Sequence, residues 1–128
     1  MPTTRRLKVL VVDDDPIVLE VVRDRLARAG HHVIVRDSAI GTTLHVALEL
    51  PDVVLLDVKM PAISGTELAQ LIKKNRAGRN ATVIFYTSID DAELVALVGR
   101  AEAERTLRKS MSDVEFLQSF ERLAARSA

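Results

Sequence analysis

Four short apolar segments, rich in β-branched residues, recur along the chain and constrain its fold more than any other feature. They occupy residues 9–12, 33–35, 53–56 and 83–85. Each segment is too short for a buried helix, and its apolarity is nearly continuous instead of alternating, which is typical of a strand buried on both faces. Such strands belong to parallel sheets that helices cover on both sides. The chain is therefore predicted to be an α/β protein with a parallel sheet at its centre.

Helical patterns fill the intervals between these segments, and most of them begin at a recognisable cap. Asp15 is a candidate N-cap, followed by Pro16 at the first helical position. Ser64 and Ser112 each stand three residues before a glutamate, which is the pattern of a capping box. The predicted helices run from residue 16 to 29, from Ser38 to residue 50, from Ser64, from Asp90 or Asp91 to Gly99, and from Ser112.

The alternation of strands and helices predicts a doubly wound sandwich of the (βα)5 type with right-handed crossovers. Residues 105–109 are short and charged, so the fifth strand is expected only at a sheet edge. His31 and His32 resemble a turn before the second strand. The length of 128 residues fits one domain (residues 1–128) with a core at about residues 7–123 and no effector domain.

The composition excludes several classes of function. The chain has no cysteine, which excludes thiol catalysis, disulfide scaffolds and zinc sites built from cysteine. Its 18 basic residues equal its 18 acidic ones, which argues against direct binding of nucleic acid. No apolar run approaches the roughly 18 residues of a membrane span, and the N-terminus does not resemble a signal peptide. We therefore expect a cytoplasmic protein that does not insert into a membrane.

Polar side chains follow the predicted strands at their carboxyl ends, where open α/β sheets bind ligands. Asp13 and Asp14 follow the first strand, Asp57 the third, Thr87 the fourth and Lys109 the last. Carboxylates that converge at one edge repel each other unless a cation lies among them, and such hard oxygen ligands suit Mg²⁺. A carboxylate beside that ion can act as a nucleophile toward a phosphoryl group, whose oxygens would need the lysine and the hydroxyl as donors.

In order and spacing, these residues resemble the receiver domain of two-component response regulators over nearly the whole chain. The resemblance rests on the sequences Val-Val-Asp-Asp-Asp-Pro at 11–16 and Leu-Leu-Asp-Val-Lys-Met-Pro at 55–61, and on Gly65, Thr87 and Lys109. It implies a flavodoxin-like sheet of five parallel strands in the order 2-1-3-4-5. It also implies a bacterial, stand-alone phosphoprotein or phosphorelay intermediate, which is no enzyme beyond its own phosphorylation and dephosphorylation.

Carried over residue by residue, the resemblance implies that Asp57 is the phosphoacceptor and that Mg²⁺ is the cofactor. Asp14 would bind the ion directly and Asp13 through water. Asp57 and the backbone carbonyl of Lys59 would complete the protein ligands. The phosphoryl donor would be a histidine kinase, a phosphotransfer protein or a small phosphodonor. Asp15 lies outside the matching acidic pair and is expected to cap a helix.

The resemblance implies that Thr87 and Lys109 contact the phosphoryl oxygens, but the C-terminal part departs from the family pattern. Ser110 follows the lysine where receivers usually have a cis proline, and a cis bond to serine would cost about 2.5–4 kcal/mol. Thr106 stands in the last strand where receivers usually have an aromatic switch residue. The usual small-residue turn contains a glutamate at 101–103.

A downstream protein partner is expected on the face formed by the fourth helix, the last strand and the fifth helix. Residues 92–98 are apolar nearly all round, beyond what one packed face needs. Arg100, Arg105 and Arg108 would add a basic rim to this face. Tyr86 precedes Thr87, but strand alternation should point it to the opposite side.

Two other functions also fit parts of the sequence. The departures near the C-terminus fit a pseudo-receiver that binds partners without phosphorylation. Asp13 and Asp15 also form the D-x-D pattern of haloacid dehalogenase-type phosphatases, although Ile17 stands where that family expects threonine or valine. That family also needs a longer chain, which makes the phosphatase the weaker alternative.

Overall fold

A five-stranded parallel sheet lies at the centre of the computed structural model, which describes residues 5–125. Neighbouring strands are all parallel, and their order across the sheet is 2-1-3-4-5. The predicted flavodoxin-like architecture and strand order are thereby confirmed. In chain order the strands are β1 (Lys8–Val12), β2 (His32–Arg36), β3 (Val53–Leu56), β4 (Thr82–Thr87) and β5 (Leu107–Arg108).

Helices connect the strands and cover both faces of the sheet. They are α1 (Pro16–Arg28), α2 (Thr42–Glu49), α3 (Gly65–Lys74), α4 (Asp91–Val98), α5 (Arg100–Glu104) and α6 (Asp113–Ala125). A 3-10 turn at Arg76–Gly78 follows α3. Within residues 5–125, none of the helices is both long and apolar enough to cross a membrane. The predicted N-caps are present at Asp15, Ser64, Asp90 and Ser112.

The second helix begins later than predicted. The hydroxyl of Ser38 accepts from the backbone N–H of Ile40 at 3.2 Å, and its carbonyl accepts from the Thr42 hydroxyl at 3.0 Å. Gly41 then takes a φ of 82° at the N-cap position. Because serine side chains that bond nearby backbone groups compete with helix formation, Ser38 makes a turn and the helix starts at Thr42.

The connection between β4 and β5 contains two helices instead of one helix and a turn. Gly99 has a φ of 88°, which ends α4 and redirects the chain. Residues 101–103, expected to form a turn, lie within α5. Alanine and glutamate are good helix formers, and without a central glycine this segment keeps a helical turn. Residues 5–125 therefore contain six α-helices where the (βα)5 pattern predicted five.

Alternate residues of each strand enter two apolar layers on opposite sides of the sheet. Val11 joins Phe116 in the layer beneath α1 and α6. Leu10 joins Leu68 and Leu94 in the layer beneath α2, α3 and α4. Complete burial of a side chain of this size contributes about 1.5–3 kcal/mol to folding. The two layers hold the sheet rigidly and leave the carboxyl ends of its central strands for polar groups.

The sheet edge at β2 differs from expectation in two respects. Residues 33–35 are half-buried instead of buried on both faces, because β2 has a neighbouring strand on one side only. His32, expected in a turn with His31, is instead the first residue of β2, and His31 before it is buried. Its Nδ1 accepts from the backbone N–H of Leu7 at 3.1 Å, and its ring packs edge-on against Phe120 at 5.5 Å.

Candidate functional site

The carboxyl ends of β1, β3 and β4 bring the predicted polar residues to one edge of the sheet. The register pairs Val12 with Leu56, so Asp13 and Asp57 leave neighbouring strands side by side. The backbone N–H of Asp57 donates to the carbonyl of Val12 at 3.2 Å and joins the two strand ends. Thr87 is the last residue of β4, the next strand across the sheet. Parallel pairing thus converts distant sequence positions into neighbours.

Three carboxylates form an acidic cluster at this edge, consisting of Asp13, Asp14 and Asp57. Each offers an oxygen within 4.8 Å of the others. The side chain of Asp13 is 1% exposed and Asp57 is buried, whereas Asp14 is exposed. Oδ1 of Asp13 accepts from the backbone N–H of Asp15 at 2.9 Å. Asp15 itself caps α1 through the N–H of Ile17 at 2.9 Å, as predicted.

Lys109 reaches this cluster from the loop after β5. Its Nζ lies 2.7 Å from Oδ2 of Asp13 and 3.0 Å from Oδ2 of Asp57. Its backbone N–H donates to the carbonyl of Thr87 at 3.0 Å, which fixes the start of the side chain. The peptide bond between Lys109 and Ser110 is trans. One ammonium therefore bridges two buried carboxylates of the cluster.

Burial and the attraction between opposite charges have opposing effects on the pKa values of Asp13 and Lys109. Burial raises the pKa of Asp13, and the charge on Asp57 raises it further, although Lys109 and the Asp15 amide act against this. Burial alone would lower the pKa of Lys109, but its hydrogen bonds and attraction to both aspartates outweigh that effect and raise it. Lys109 is therefore held as a cation. Burial disfavours the charged form of Asp13, which a positive neighbour would stabilise.

Gly65 packs directly against the backbone of Asp57. A Cβ at this position would lie 2.0 Å from the carbonyl oxygen of Asp57 and 3.0 Å from Cα of Val58. The N–H of Gly65 donates to the carbonyl of Val58 at 2.8 Å. Only glycine permits so close an approach between the start of α3 and the loop after β3. The glycine in the sequence pattern therefore sets the backbone that presents Asp57.

Thr87 and Thr106 make hydrogen bonds to different segments of the chain. Thr87 is buried, and its Oγ1 accepts from the backbone N–H of Ile89 at 3.3 Å. Thr106 is also buried but precedes β5 instead of lying within it. Its hydroxyl donates to the carbonyl of Glu102 at 2.9 Å. The position expected to hold an aromatic switch thus holds a hydroxyl that is fixed to α5.

Tyr86 points away from the side that Thr87 faces, as strand alternation predicted. Its ring belongs to the apolar layer beneath α1 and α6 and meets Phe116 edge-on, with centroids 5.5 Å apart. The same ring lies beneath the ammonium of Lys109, 5.9 Å from Nζ to the centroid. The tyrosine therefore contacts the site through Lys109.

Lys59 lies in the loop after β3, and its side chain crosses to α4. Its Nζ is 2.5 Å from Oε2 of Glu93, and this exposed ion pair links the loop to the helix. The predicted role of its backbone carbonyl as a metal ligand stays a prediction. Arg25 of α1 was not singled out from the sequence, although it follows Val22 by three positions on the buried side of that helix. Its Nε lies 2.5 Å from Oδ1 of Asp113.

The face formed by α4, β5 and α6 exposes part of the apolar sequence noted above. Leu94 is buried in the core, whereas Leu97 is 49% exposed. Two arginines of the expected basic rim are paired with acidic side chains. Arg105 lies 4.0 Å from Glu102, and Arg108 is bound to Asp91 and to the Ile89 carbonyl.

Comparisons with known proteins agree with this geometry. The family model described as the response regulator receiver domain matches residues 9–121. The chain is 31% identical over 121 residues to the C4-dicarboxylate transport transcriptional regulatory protein DctD of Pseudomonas aeruginosa, covering 94% of this chain and 26% of DctD. It is 29% identical over 114 residues to protein PilG of the same species, covering 87% of this chain and 82% of PilG.

Solved structures show the same fold. A CheY-like response regulator receiver domain protein from Methanospirillum hungatei superposes with a TM-score of 0.81 at 23% identity, over 96% of this chain and 97% of that one. The chain spans between 26% and 33% of the length of three curated transcriptional regulators that it matches. The family match itself extends over most of the present chain. The chain therefore belongs to the family of response regulator receiver domains of two-component signalling.

Proposed function

We propose that the chain is a phosphoacceptor switch that takes a phosphoryl group on Asp57 from a histidine kinase, a phosphotransfer protein or a small phosphodonor. The observation that carries this proposal is the position of the Lys109 ammonium, 3.0 Å from Oδ2 of Asp57 at the acidic cluster. A carboxylate at a strand end is common, but one paired with a half-buried lysine beside a second buried carboxylate is suited to phosphoryl transfer.

The donor set fits a hard divalent cation. Receiver domains bind Mg²⁺ at an acidic pocket, and here three carboxylates offer oxygens within 4.8 Å of each other. Three carboxylates less one ammonium leave two negative charges, which one Mg²⁺ balances. Asp13, Asp14, Asp57 and the Lys59 carbonyl would hold the ion. A bound ion would neutralise the negative charge of the carboxylates and of the phosphoryl oxygens.

The transfer itself is a displacement at phosphorus. A carboxylate oxygen of Asp57 forms the new bond to phosphorus, while the bond to the donor breaks and its electron pair leaves with the donor's imidazole nitrogen or acetate oxygen. The Lys109 ammonium donates to one phosphoryl oxygen. The Thr87 hydroxyl accepts from Ile89 at 3.3 Å and keeps its own proton, which it can donate to another. Hydrolysis of the acyl phosphate later regenerates Asp57.

The phosphorylated form is proposed to act by altered binding of a protein partner. The surface of α4, β5 and α6, with Leu97 exposed, is the proposed contact face. Receiver domains are regulatory and in general are not enzymes, and no turnover of an external substrate is proposed for this one. Action in the cytoplasm, without direct contact to nucleic acid, and a single domain at residues 1–128 remain part of this proposal.

Labelling with acetyl phosphate tests the phosphoacceptor. The wild-type chain, incubated with Mg²⁺ and acetyl phosphate, is expected to gain one phosphoryl group by intact mass, and Asp57→Asn is expected to gain none. Asp15→Asn is the matched control, because it removes a neighbouring carboxylate outside the cluster and asparagine still caps a helix. No gain in the wild type, or an equal gain in Asp57→Asn, would contradict the proposal.

A phosphorylation-independent interaction module is the second candidate. It is favoured by Thr106, whose hydroxyl is fixed to Glu102 at 2.9 Å where an aromatic switch was expected. Backbone NMR spectra with and without beryllofluoride and Mg²⁺ separate the two functions. A switch shifts resonances across α4, β5 and α6, whereas a constitutive module shifts only those beside Asp57.

A further inference from the structure

Tyr86 contacts the ammonium of Lys109 through its ring. Nζ of Lys109 is 5.9 Å from the centroid of the Tyr86 ring, within the range at which an aromatic face attracts a cation. The same nitrogen bonds Asp13 and Asp57 at 2.7 Å and 3.0 Å. The ammonium therefore contacts both an aromatic face and two carboxylates. Because only 17% of the lysine side chain is exposed, water competes weakly for these contacts.

The ring of Tyr86 packs against a side chain of α6, which in turn packs against a side chain of α1. Phe116 of α6 meets it edge-on at 5.5 Å with an interplanar angle of 72°. The guanidinium of Arg25 lies 5.2 Å from the centroid of Phe116 and donates to the carbonyl of Met111 at 3.3 Å. Met111 is two residues beyond the lysine, so the same cluster also holds the loop that carries Lys109.

Burial raises the pKa of the Tyr86 hydroxyl, although Arg25 and Lys109 act against this shift. The hydroxyl therefore stays protonated at neutral pH, and the ring meets the lysine as a neutral aromatic. A neutral phenol ring and a phenyl ring present similar faces to a cation, while an aliphatic side chain presents none. Phenylalanine at this position should therefore keep the contact with the cation, whereas leucine should lose it.

We propose that Tyr86 is a positioning residue for Lys109, whose ammonium its ring directs toward Asp57 and toward the oxygens of an incoming phosphoryl group. The inference rests on the proposed function, because the direction of the ammonium matters for the rate only if Asp57 accepts a phosphoryl group. Tyr86 does not replace the missing aromatic at Thr106, since it lies on the opposite side of the sheet. It acts on phosphorylation and not on the partner face.

The test compares rates of labelling by acetyl phosphate with Mg²⁺, measured by intact mass. Tyr86→Leu is expected to slow labelling about 3- to 10-fold, the range expected for loss of a partly buried cation–π contact, and Tyr86→Phe to stay within about 2-fold of wild type. In a Lys109→Ala background, Tyr86→Leu is expected to cause no further loss. A purely structural role of the ring would slow both backgrounds alike.

Fluorination provides a second variant for the case in which Tyr86→Leu does not fold. Relative to Tyr86→Phe, a trifluorinated phenylalanine at this position keeps the ring's shape but weakens its attraction for cations, and it is expected to slow labelling. Equal rates for wild type and Tyr86→Leu, equal losses in both backgrounds, or no effect of fluorination would overturn the inference. A wild-type chain that takes up no phosphoryl group would instead contradict the proposed function itself.

Discussion

Lys109 and Asp57 lie 52 positions apart in the chain, yet Nζ of the lysine is 3.0 Å from Oδ2 of the aspartate. The same ammonium lies 2.7 Å from Oδ2 of Asp13, so one cation spans two carboxylates. This arrangement has a lower negative charge than three carboxylates alone but is not neutral. Under the proposed function, we expect the site to attract a divalent cation and, with it, a phosphoryl group, and both properties can be measured.

Metal affinity should depend on the acidic cluster and not on the neighbouring helix cap. We expect Asp14→Asn and Asp13→Asn each to weaken Mg²⁺ binding at least 10-fold, because each removes a charged oxygen ligand from the cluster. Asp15→Asn should leave the affinity within about 2-fold. Isothermal titration calorimetry with Mg²⁺ measures the difference, and equal affinities in all four proteins would exclude a metal site at this cluster.

The Asp13 carboxylate should destabilise the fold when no divalent cation is bound. Its pKa in the folded state is raised, chiefly by burial, above its ordinary value, so the folded state disfavours the charged form. The resulting penalty is present at neutral pH and is relieved as the pH falls through the folded-state pKa. Without Mg²⁺, Asp13→Asn should therefore raise the melting temperature at pH 7, and this advantage should shrink in acid.

Thermal melts of wild type and Asp13→Asn at several pH values check this prediction. Excess Mg²⁺ should give the wild type the higher melting temperature at pH 7, because the ion would stabilise the folded wild type by binding to it. A melting temperature of Asp13→Asn that is lower than wild type without Mg²⁺ would show that the lysine pairing outweighs the cost of burial.

Gly65 should tolerate no side chain. Its added Cβ would lie 2.0 Å from the carbonyl oxygen of Asp57, which is backbone and cannot rotate away. Gly65→Ala should lower the free energy of unfolding by about 3 kcal/mol, at the upper end of overpacking costs, and should also reduce labelling of Asp57. Gln70→Ala on the exposed side of α3 is the control and should change stability by less than about 0.5 kcal/mol. Urea unfolding curves of both variants measure the difference.

His31 should make the fold less stable in mild acid. Burial lowers its pKa below the ordinary value of 6.5, although the charge of Glu121 acts against this. Protonation of Nδ1 would also remove the hydrogen bond that it accepts from the Leu7 N–H. As the pH falls below about 6.5, the unfolded chain therefore takes up a proton that the folded state resists, with a slope of at most about 1.4 kcal/mol per pH unit.

Urea unfolding between pH 7.5 and 5.5 tests this prediction with a non-titrating variant. His31→Gln retains an acceptor for Leu7 and should lose less stability over this interval than the wild type. His32→Gln replaces an exposed histidine and should follow the wild type. Parallel pH profiles for wild type and His31→Gln would show that His31 does not govern the acid response.

Local sequence patterns predicted most of the fold correctly because they reflect local physical rules. Continuous apolar segments gave four of the strands, and the caps at Asp15, Ser64 and Asp90 were found at the predicted positions. The errors lie where a side-chain turn or a glycine conformation competes with helix propensity. Ser38 forms a turn in place of a cap, and beyond Gly99 a short helix replaces the expected turn at 101–103.

The sequence by itself determined which chemical groups stand at the ends of which strands, because strand ends and caps are properties of short segments. It could not determine that Lys109 bridges two aspartates, that Tyr86 lies beneath that lysine, or that Gly65 touches the backbone of Asp57. Each of these contacts joins separate segments, and its distance depends on strand register and on how the two apolar layers pack. The tertiary structure alone therefore decided the geometry that gives these residues their proposed roles.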